Sequence, residues 1–214
     1  MPNRGFDRDY FDRYYERESS RVYGPAELGR LAQGLLGMIR WLGGDVRSVL
    51  DVGAGAGFLR DWFQRHESSV RYVSVDASAY ACERYGHEQR DIARWQSKDR
   101  FDLVVCQGVL PYLSDEDAAS ALDNIGAMTG GFLYLEAITA RDLREVVDRD
   151  KTDVAVHPRT GAFYREQLSR HFVELGCGLF YAKTGRLVFY ELEHSPAAAE
   201  TSIASTEDEE AIAS

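Results

Sequence analysis

The chain has 214 residues, 44% apolar and 28% charged, enough for one globular domain with a sizeable core. Its net charge of −10 leaves no overall basic footprint for nucleic acid. No apolar run approaches the ~20 residues that span a bilayer, and the opening Met-Pro-Asn-Arg-Gly-Phe-Asp lacks an apolar signal core. Cys82, Cys106 and Cys177 are scattered, without metal-binding spacing. Together these features predict a cytoplasmic protein with reduced thiols, and Cys106, inside an apolar run, reads as a small core residue.

Residues 5–22 interleave Phe6, Tyr10, Phe11, Tyr14 and Tyr15 with charges at three- and four-residue steps, the pattern of an amphipathic helix with an aromatic face. Those rings either pack on a core or close over a ligand. Pro25 suits a first helical position, Ala26 to Leu42 carries a helical apolar pattern, and Gly43-Gly44 stops it.

The apolar run Val46 to Val52 predicts a strand. It ends in alternating glycines, Gly53, Gly55 and Gly57, with a helical pattern from about Gly57 to His66. Such a strand–turn–helix joint presents positive-φ glycines and a helix N-terminus to a ligand bearing a carboxylate or phosphate. Val70 to Val75 predicts a second strand ending at Asp76, Ser78 caps a helix through Tyr85, and a short third strand covers Gln89 to Ile92. Phe101 to Gln107 is a fourth strand. Ser114 with Asp117 marks the start of a helix running to Met128, and Gly130-Gly131 are expected to end it ahead of a fifth strand, Phe132 to Ile138.

Thr139 to Val147 reads as helix, Asp148 to Thr160 as loop and Tyr164 to Phe172 as helix. Gly178 to Lys183 and Arg186 to Glu193 are strand-like, and the short Thr184-Gly185 link predicts an antiparallel hairpin. From Ser195 onward Ala, Ser, Thr and acids predict disorder. Five of the acidic residues lie there, without a basic one. The alternation of strand and helix argues for a doubly wound, mostly parallel sheet in an α/β fold.

The dinucleotide fingerprint needs a third glycine where this chain has Phe58. The run acid-x-Gly-x-Gly-x-Gly, led by Asp51, instead resembles motif I of the class I S-adenosylmethionine-dependent methyltransferases. The resemblance covers roughly Val46 to Glu193, and it implies a seven-stranded sheet closed by the C-terminal antiparallel hairpin. It divides the chain into an N-terminal helical lid (1–44), a methyltransferase domain (45–194) and an acidic tail (195–214). It also implies S-adenosyl-L-methionine as cofactor, S-adenosyl-L-homocysteine as product and a small-molecule acceptor.

Asp76, about 20 residues past the glycines, has the placement of a carboxylate that accepts ribose hydroxyls. Residue by residue, the resemblance implies that Asp51, Gly53, Ala54 and Gly55 bind the cofactor. It places Asp76 at the ribose, Ala77 among the cofactor contacts, and Asp91 and Ile92 at the adenine, with Trp95 either stacked on the base or in the core. Gln107 and Gly108 fall beside the methionine part. Val109, Leu110, Pro111 and Tyr112 are expected to line the acceptor pocket, with Tyr14 and Arg159 as further acceptor contacts.

Methyl transfer is an in-line displacement, for which the protein mainly supplies alignment, about 7–11 kcal/mol in favourable cases. His157, Tyr112, Tyr14 and Glu136 are the general-base candidates, His157 and Tyr112 foremost. No acidic ligand set for a metal is evident. A protein or RNA methyltransferase, a nicotinamide-dependent oxidoreductase and a non-catalytic binding module are the competing readings.

Overall fold

The structure is a computed structural model that describes residues 5–21 and 23–195. The expected acidic tail lies, apart from Ser195, outside the described residues. Seven strands form one sheet: β1 (Ser48–Val52), β2 (Arg71–Asp76), β3 (Glu88–Gln89), β4 (Phe101–Gln107), β5 (Thr129–Glu136), β6 (Phe172–Gly176) and β7 (Leu179–Ala182). Their order is β3-β2-β1-β4-β5-β7-β6. The first five pair in parallel, while β7 runs antiparallel to both β5 and β6.

Both faces of the central strands are buried, so apolar residues follow one another and alternate between two cores. Val49, Leu103, Val105, Phe132 and Tyr134 meet Ala32, Leu35, Leu36 and Ile39 of α2 (Pro25–Trp41) and Leu59, Trp62 and Phe63 of α3 (Phe58–His66). On the other face Leu50, Val52, Val104, Cys106, Leu133 and Leu135 meet α5 (Asp115–Met128) and α7 (Gly161–Leu168). Cys106 is fully buried there, as expected of a core thiol.

Caps set the helix starts. Glu27 accepts the Gly24 N–H at 3.0 Å in front of Pro25. The Ser78 hydroxyl accepts from Ala81 N–H at 3.1 Å to open α4 (Ala79–Tyr85), and Ser114 accepts from Asp117 N–H at 3.2 Å to open α5.

Several expectations need correction. Gly130 and Gly131 lie inside β5 rather than ahead of it. A Cβ on Gly131 would stand 2.6 Å from the Asp102 carbonyl oxygen, so the glycines allow β5 to close on β4 beside the irregular pairing at Phe101–Leu103. Helix α7 stops at Leu168, and Phe172 already belongs to β6.

The hairpin is therefore β6–β7, turning at Cys177-Gly178, with φ of 51° and 75°. Two successive positive φ values are those of a tight hairpin turn, and a cysteine there carries no sequence signal for it. Residues 186–189 form no strand. The N–H groups of Arg186 and Leu187 instead donate to the Tyr181 hydroxyl at 2.9 and 3.0 Å, while Leu187 and Phe189 pack on the core. Finally, the aromatic N-terminal segment is a short α1 (Arg8–Phe11) that widens into a π-helical turn, Asp12–Glu16, and the Thr139–Val147 helix contracts to α6 (Asp142–Glu145).

Candidate active site

Strand order reverses between β1 and β4, and a crevice opens there at the C-terminal ends of the parallel strands. The crevice is a cavity of about 990 Å³. Its floor is Val52, Gly53, Val75 and Asp76. One end reaches Asp91 and Ile92, and the other reaches Gln107, Gly108, Tyr112 and His157. The N-terminal segment roofs it with Phe6, Tyr10, Phe11 and Tyr15.

The glycine loop takes φ of 70°, 58° and 75° at Gly53, Gly55 and Gly57, which explains their alternation. The loop's N–H groups are not free, as the sequence suggested. Gly53 and Ala54 donate to the Val75 carbonyl at 2.8 and 3.1 Å, Gly57 donates to the Ala54 carbonyl at 2.9 Å, and Gly55 donates to Asp76 Oδ2 at 3.0 Å. Nor is the bare backbone open at each glycine. A Cβ on Gly53 would meet Val109 at 2.2 Å, and one on Gly55 would meet the Tyr15 ring at 2.8 Å. Of this loop, only Gly53 lines the cavity.

Asp76 faces the cavity with a half-buried carboxylate, Oδ1 accepting the Ser78 N–H at 2.8 Å and Oδ2 that of Gly55. Burial pushes its pKa up, and these N–H groups pull against that shift. Each oxygen keeps a further lone pair for a hydroxyl donor. Asp51 does not line the cavity. It lies behind the loop, 5% exposed, and accepts the Tyr72 hydroxyl at 2.7 Å; burial raises its pKa to about 7, against the pull of that hydrogen bond.

Ile92 is buried at the cavity edge, as an apolar cover for a base requires. Asp91 is already engaged, accepting the Ala93 N–H at 3.0 Å and pairing with Arg94 at 2.7 Å. Trp95 packs partly buried against the core. At the other end Gln107 donates to Glu136 at 3.2 Å, Gly108 donates to the Glu136 carbonyl at 2.9 Å, and the Tyr134 hydroxyl donates to Glu136 at 3.2 Å. Glu136 is thereby held in place by three donors, away from the cavity lining.

Tyr112 does line the cavity. Its hydroxyl meets that of Tyr10 at 3.0 Å, and the Phe6 ring meets its edge at 5.1 Å. Burial raises its pKa to about 12, so the phenol is protonated at neutral pH and can donate a hydrogen bond. His157 is at the exposed mouth, anchored through its N–H to the Pro111 carbonyl at 2.8 Å.

Four expected acceptor contacts fall outside the lining, and one of them, Pro111, is buried within the Leu110–Tyr112 turn. Leu110 is fully buried in the core. Tyr14 packs on Tyr10 at 4.9 Å under Arg13. Arg159 is 5% exposed and already committed: it donates to the Leu110 carbonyl at 2.9 Å and to the Leu113 carbonyl, and it pairs with Asp115 at 2.8 Å. It therefore braces the Leu110–Tyr112 turn and does not grip an acceptor. His87, which periodicity did not single out, is buried beneath the glycine loop.

Among the described residues, no group of His, Cys, Asp and Glu is placed to hold a metal ion, and no helix is long and apolar enough to cross a membrane. The family model described as a methyltransferase domain matches residues 50–130. No curated protein sequence matches the chain.

Among solved structures the chain is similar to the N-methyltransferase NodS from Bradyrhizobium japonicum, crystallised with S-adenosyl-L-homocysteine. The TM-score is 0.56 at 18% identity, over 82% of this chain and 97% of that one. It is also similar to DesVI of Streptomyces venezuelae (TM-score 0.55, 16% identity, 72% of this chain and 91% of that one). The sugar N-methyltransferase KedS8 from Streptoalloteichus gives TM-score 0.55 at 16% identity, over 71% of this chain and 85% of that one. Residues 50–130 thus match a methyltransferase-domain model, and the chain shares its fold with these methyltransferase structures.

Proposed function

We propose that the protein transfers the methyl group of S-adenosyl-L-methionine to a nitrogen or oxygen atom of a small-molecule acceptor. The observation that carries this reading is one continuous cavity, with the half-buried Asp76 carboxylate at its floor and the Tyr10–Tyr112 hydroxyl pair at its far end. Its residues fit a nucleoside: Asp76 offers lone pairs to vicinal hydroxyls, and Ile92 offers an apolar face to a base. Gln107 and Gly108 flank the path between that end and Tyr112.

The bound cofactor supplies a methyl group already activated on a sulfonium. The chain's own residues therefore align, enclose and handle a proton. Phe6, Tyr10 and Phe11 roof the cavity and keep bulk water from it. Tyr10 and Tyr112 orient the acceptor through their hydroxyls, and His157 takes the proton that an amine or hydroxyl nucleophile gives up.

An amine is the favoured nucleophile. Burial is the main cause that raises both phenols, and the charge of Asp153 adds to it, so a carboxylate stands near the Tyr10–Tyr112 pair without lining the cavity. A cationic amine is attracted by both. NodS and KedS8, which share the fold, are N-methyltransferases by name.

The test is homocysteine release from S-adenosyl-L-homocysteine, in a coupled assay against matched panels of amino and hydroxyl compounds. Turnover restricted to a protein or RNA fraction would contradict a small-molecule acceptor.

A further inference from the structure

Gly55 is held from both sides. Its N–H donates to Asp76 at 3.0 Å, and its carbonyl lies 3.0 Å from His87 Nε2. The other ring nitrogen, Nδ1, is 2.9 Å from the Ser74 hydroxyl. A carbonyl only accepts, so Nε2 carries the hydrogen. Nδ1 is then the acceptor, and the Ser74 hydroxyl donates to it. Ser74 and Asp76 lie on one strand, β2, and His87 stands one residue ahead of β3, which pairs with the end of β2.

The two peptide units flanking a glycine at φ 58° are thus pinned by groups from the neighbouring strands. Without such pins a glycine explores far more backbone space than any other residue. His87 is 8% exposed and does not line the cavity, so it cannot touch a ligand directly.

We propose that His87 is a positioning residue: the Ser74–His87–Gly55 hydrogen-bond chain holds the glycine loop, and through Gly55 the Asp76 carboxylate, in the conformation that binds the cofactor nucleoside. The inference rests on the reading of this cavity as the S-adenosylmethionine site. It assigns His87 to cofactor affinity and not to the methyl-transfer step.

The experiment compares His87→Gln with His87→Met. The two side chains are similar in length and shape, and only Gln carries an N–H for the Gly55 carbonyl. Calorimetric binding of S-adenosyl-L-homocysteine is measured alongside KM for S-adenosyl-L-methionine and kcat. The Met variant leaves a buried carbonyl unpaired, and it is expected to weaken binding about tenfold and raise KM in step, with kcat within about twofold. The Gln variant is expected to stay within about threefold of wild type.

Equal binding by Met and wild type overturns the proposal. So does a Gln variant as weak as Met, which would make the ring's packing the cause. Should the Met variant not fold, NMR of the wild type decides. The Nε2–H tautomer of His87, exchanging more slowly once S-adenosyl-L-homocysteine is bound, supports the proposal, and the Nδ1–H tautomer or unchanged exchange overturns it. A wild-type protein that binds no S-adenosyl-L-homocysteine brings down the cofactor reading itself, and that outcome is visible before any variant is made.

Discussion

The hydroxyl of Tyr10, on the first short helix, meets that of Tyr112, on the turn after β4, at 3.0 Å. One residue comes from the roof and the other from the wall, so their contact closes that end of the cavity. Removing either hydroxyl leaves the other without its partner. Tyr10→Phe and Tyr112→Phe are each expected to lower kcat/KM for the acceptor about three- to tenfold. The double variant is expected to be little worse than the worse single one, because the two share one interaction. Burial raises the Tyr112 pKa to about 12. The kcat/KM profile of wild type should therefore show no ionisation between pH 8 and 10 that Tyr112→Phe abolishes; finding one would restore Tyr112 as a base.

Asp76 combines two tasks, since its carboxylate anchors the Gly55 and Ser78 N–H groups and also faces the cavity. Asp76→Ala is expected to weaken S-adenosyl-L-homocysteine binding at least about 30-fold, and Asp76→Asn, which keeps one oxygen acceptor, about tenfold. Isothermal titration of both variants checks the order. An Asp76→Asn variant weaker than Asp76→Ala would contradict it.

Asp51 makes stability fall as pH rises. Its carboxyl has a pKa of about 7 in the folded chain against an ordinary 3.8, with burial the cause. The folded state therefore holds the proton more tightly than the unfolded state. The resulting stabilisation is present below pH 4 and is lost as pH climbs through about 7. Asp51→Asn removes this titration while leaving an oxygen to accept the Tyr72 hydroxyl. Its Tm is expected to gain on wild type by about 5 °C between pH 5 and pH 8. A constant offset across that range would show that Asp51 does not titrate there.

Arg159 is a buried cation whose donors go to the Leu110 and Leu113 carbonyls and to Asp115. Arg159→Met strips the two carbonyls of that donor and is expected to cost about 2–4 kcal/mol in denaturant unfolding. It should also loosen the turn that carries Tyr112. Loss of acceptor binding with unchanged stability would instead return Arg159 to the role of an acceptor contact.

The parallel half of the fold was legible because its signals are local. Buried strands are short apolar runs, and Ser78 and Ser114 cap helices where their hydroxyls suggest. The C-terminal half was misread where tertiary contacts override local pattern. The Cys177-Gly178 turn puts a non-glycine at φ 51°, and Arg186 and Leu187 give their N–H groups to a tyrosine hydroxyl instead of a strand.

At the site, spacing located Asp76 and the family resemblance placed Ile92, both of which line the cavity. It could not show that Asp91 is already paired with Arg94, that Arg159 is internally satisfied or that Asp51 sits behind the loop. Those facts depend on which way a side chain turns. His87 was missed because a lone histidine between a helix and a two-residue strand has no pattern. Its partners, Ser74 and Gly55, are 13 and 32 residues away.

The central claim, that this cavity is built for an amino-acid-bearing nucleoside, is tested most directly by calorimetry on the wild-type protein. Titration with S-adenosyl-L-homocysteine should give one saturable site per chain with micromolar affinity or tighter, while NAD gives no heat of binding. Saturable binding of NAD with none of S-adenosyl-L-homocysteine would contradict the account.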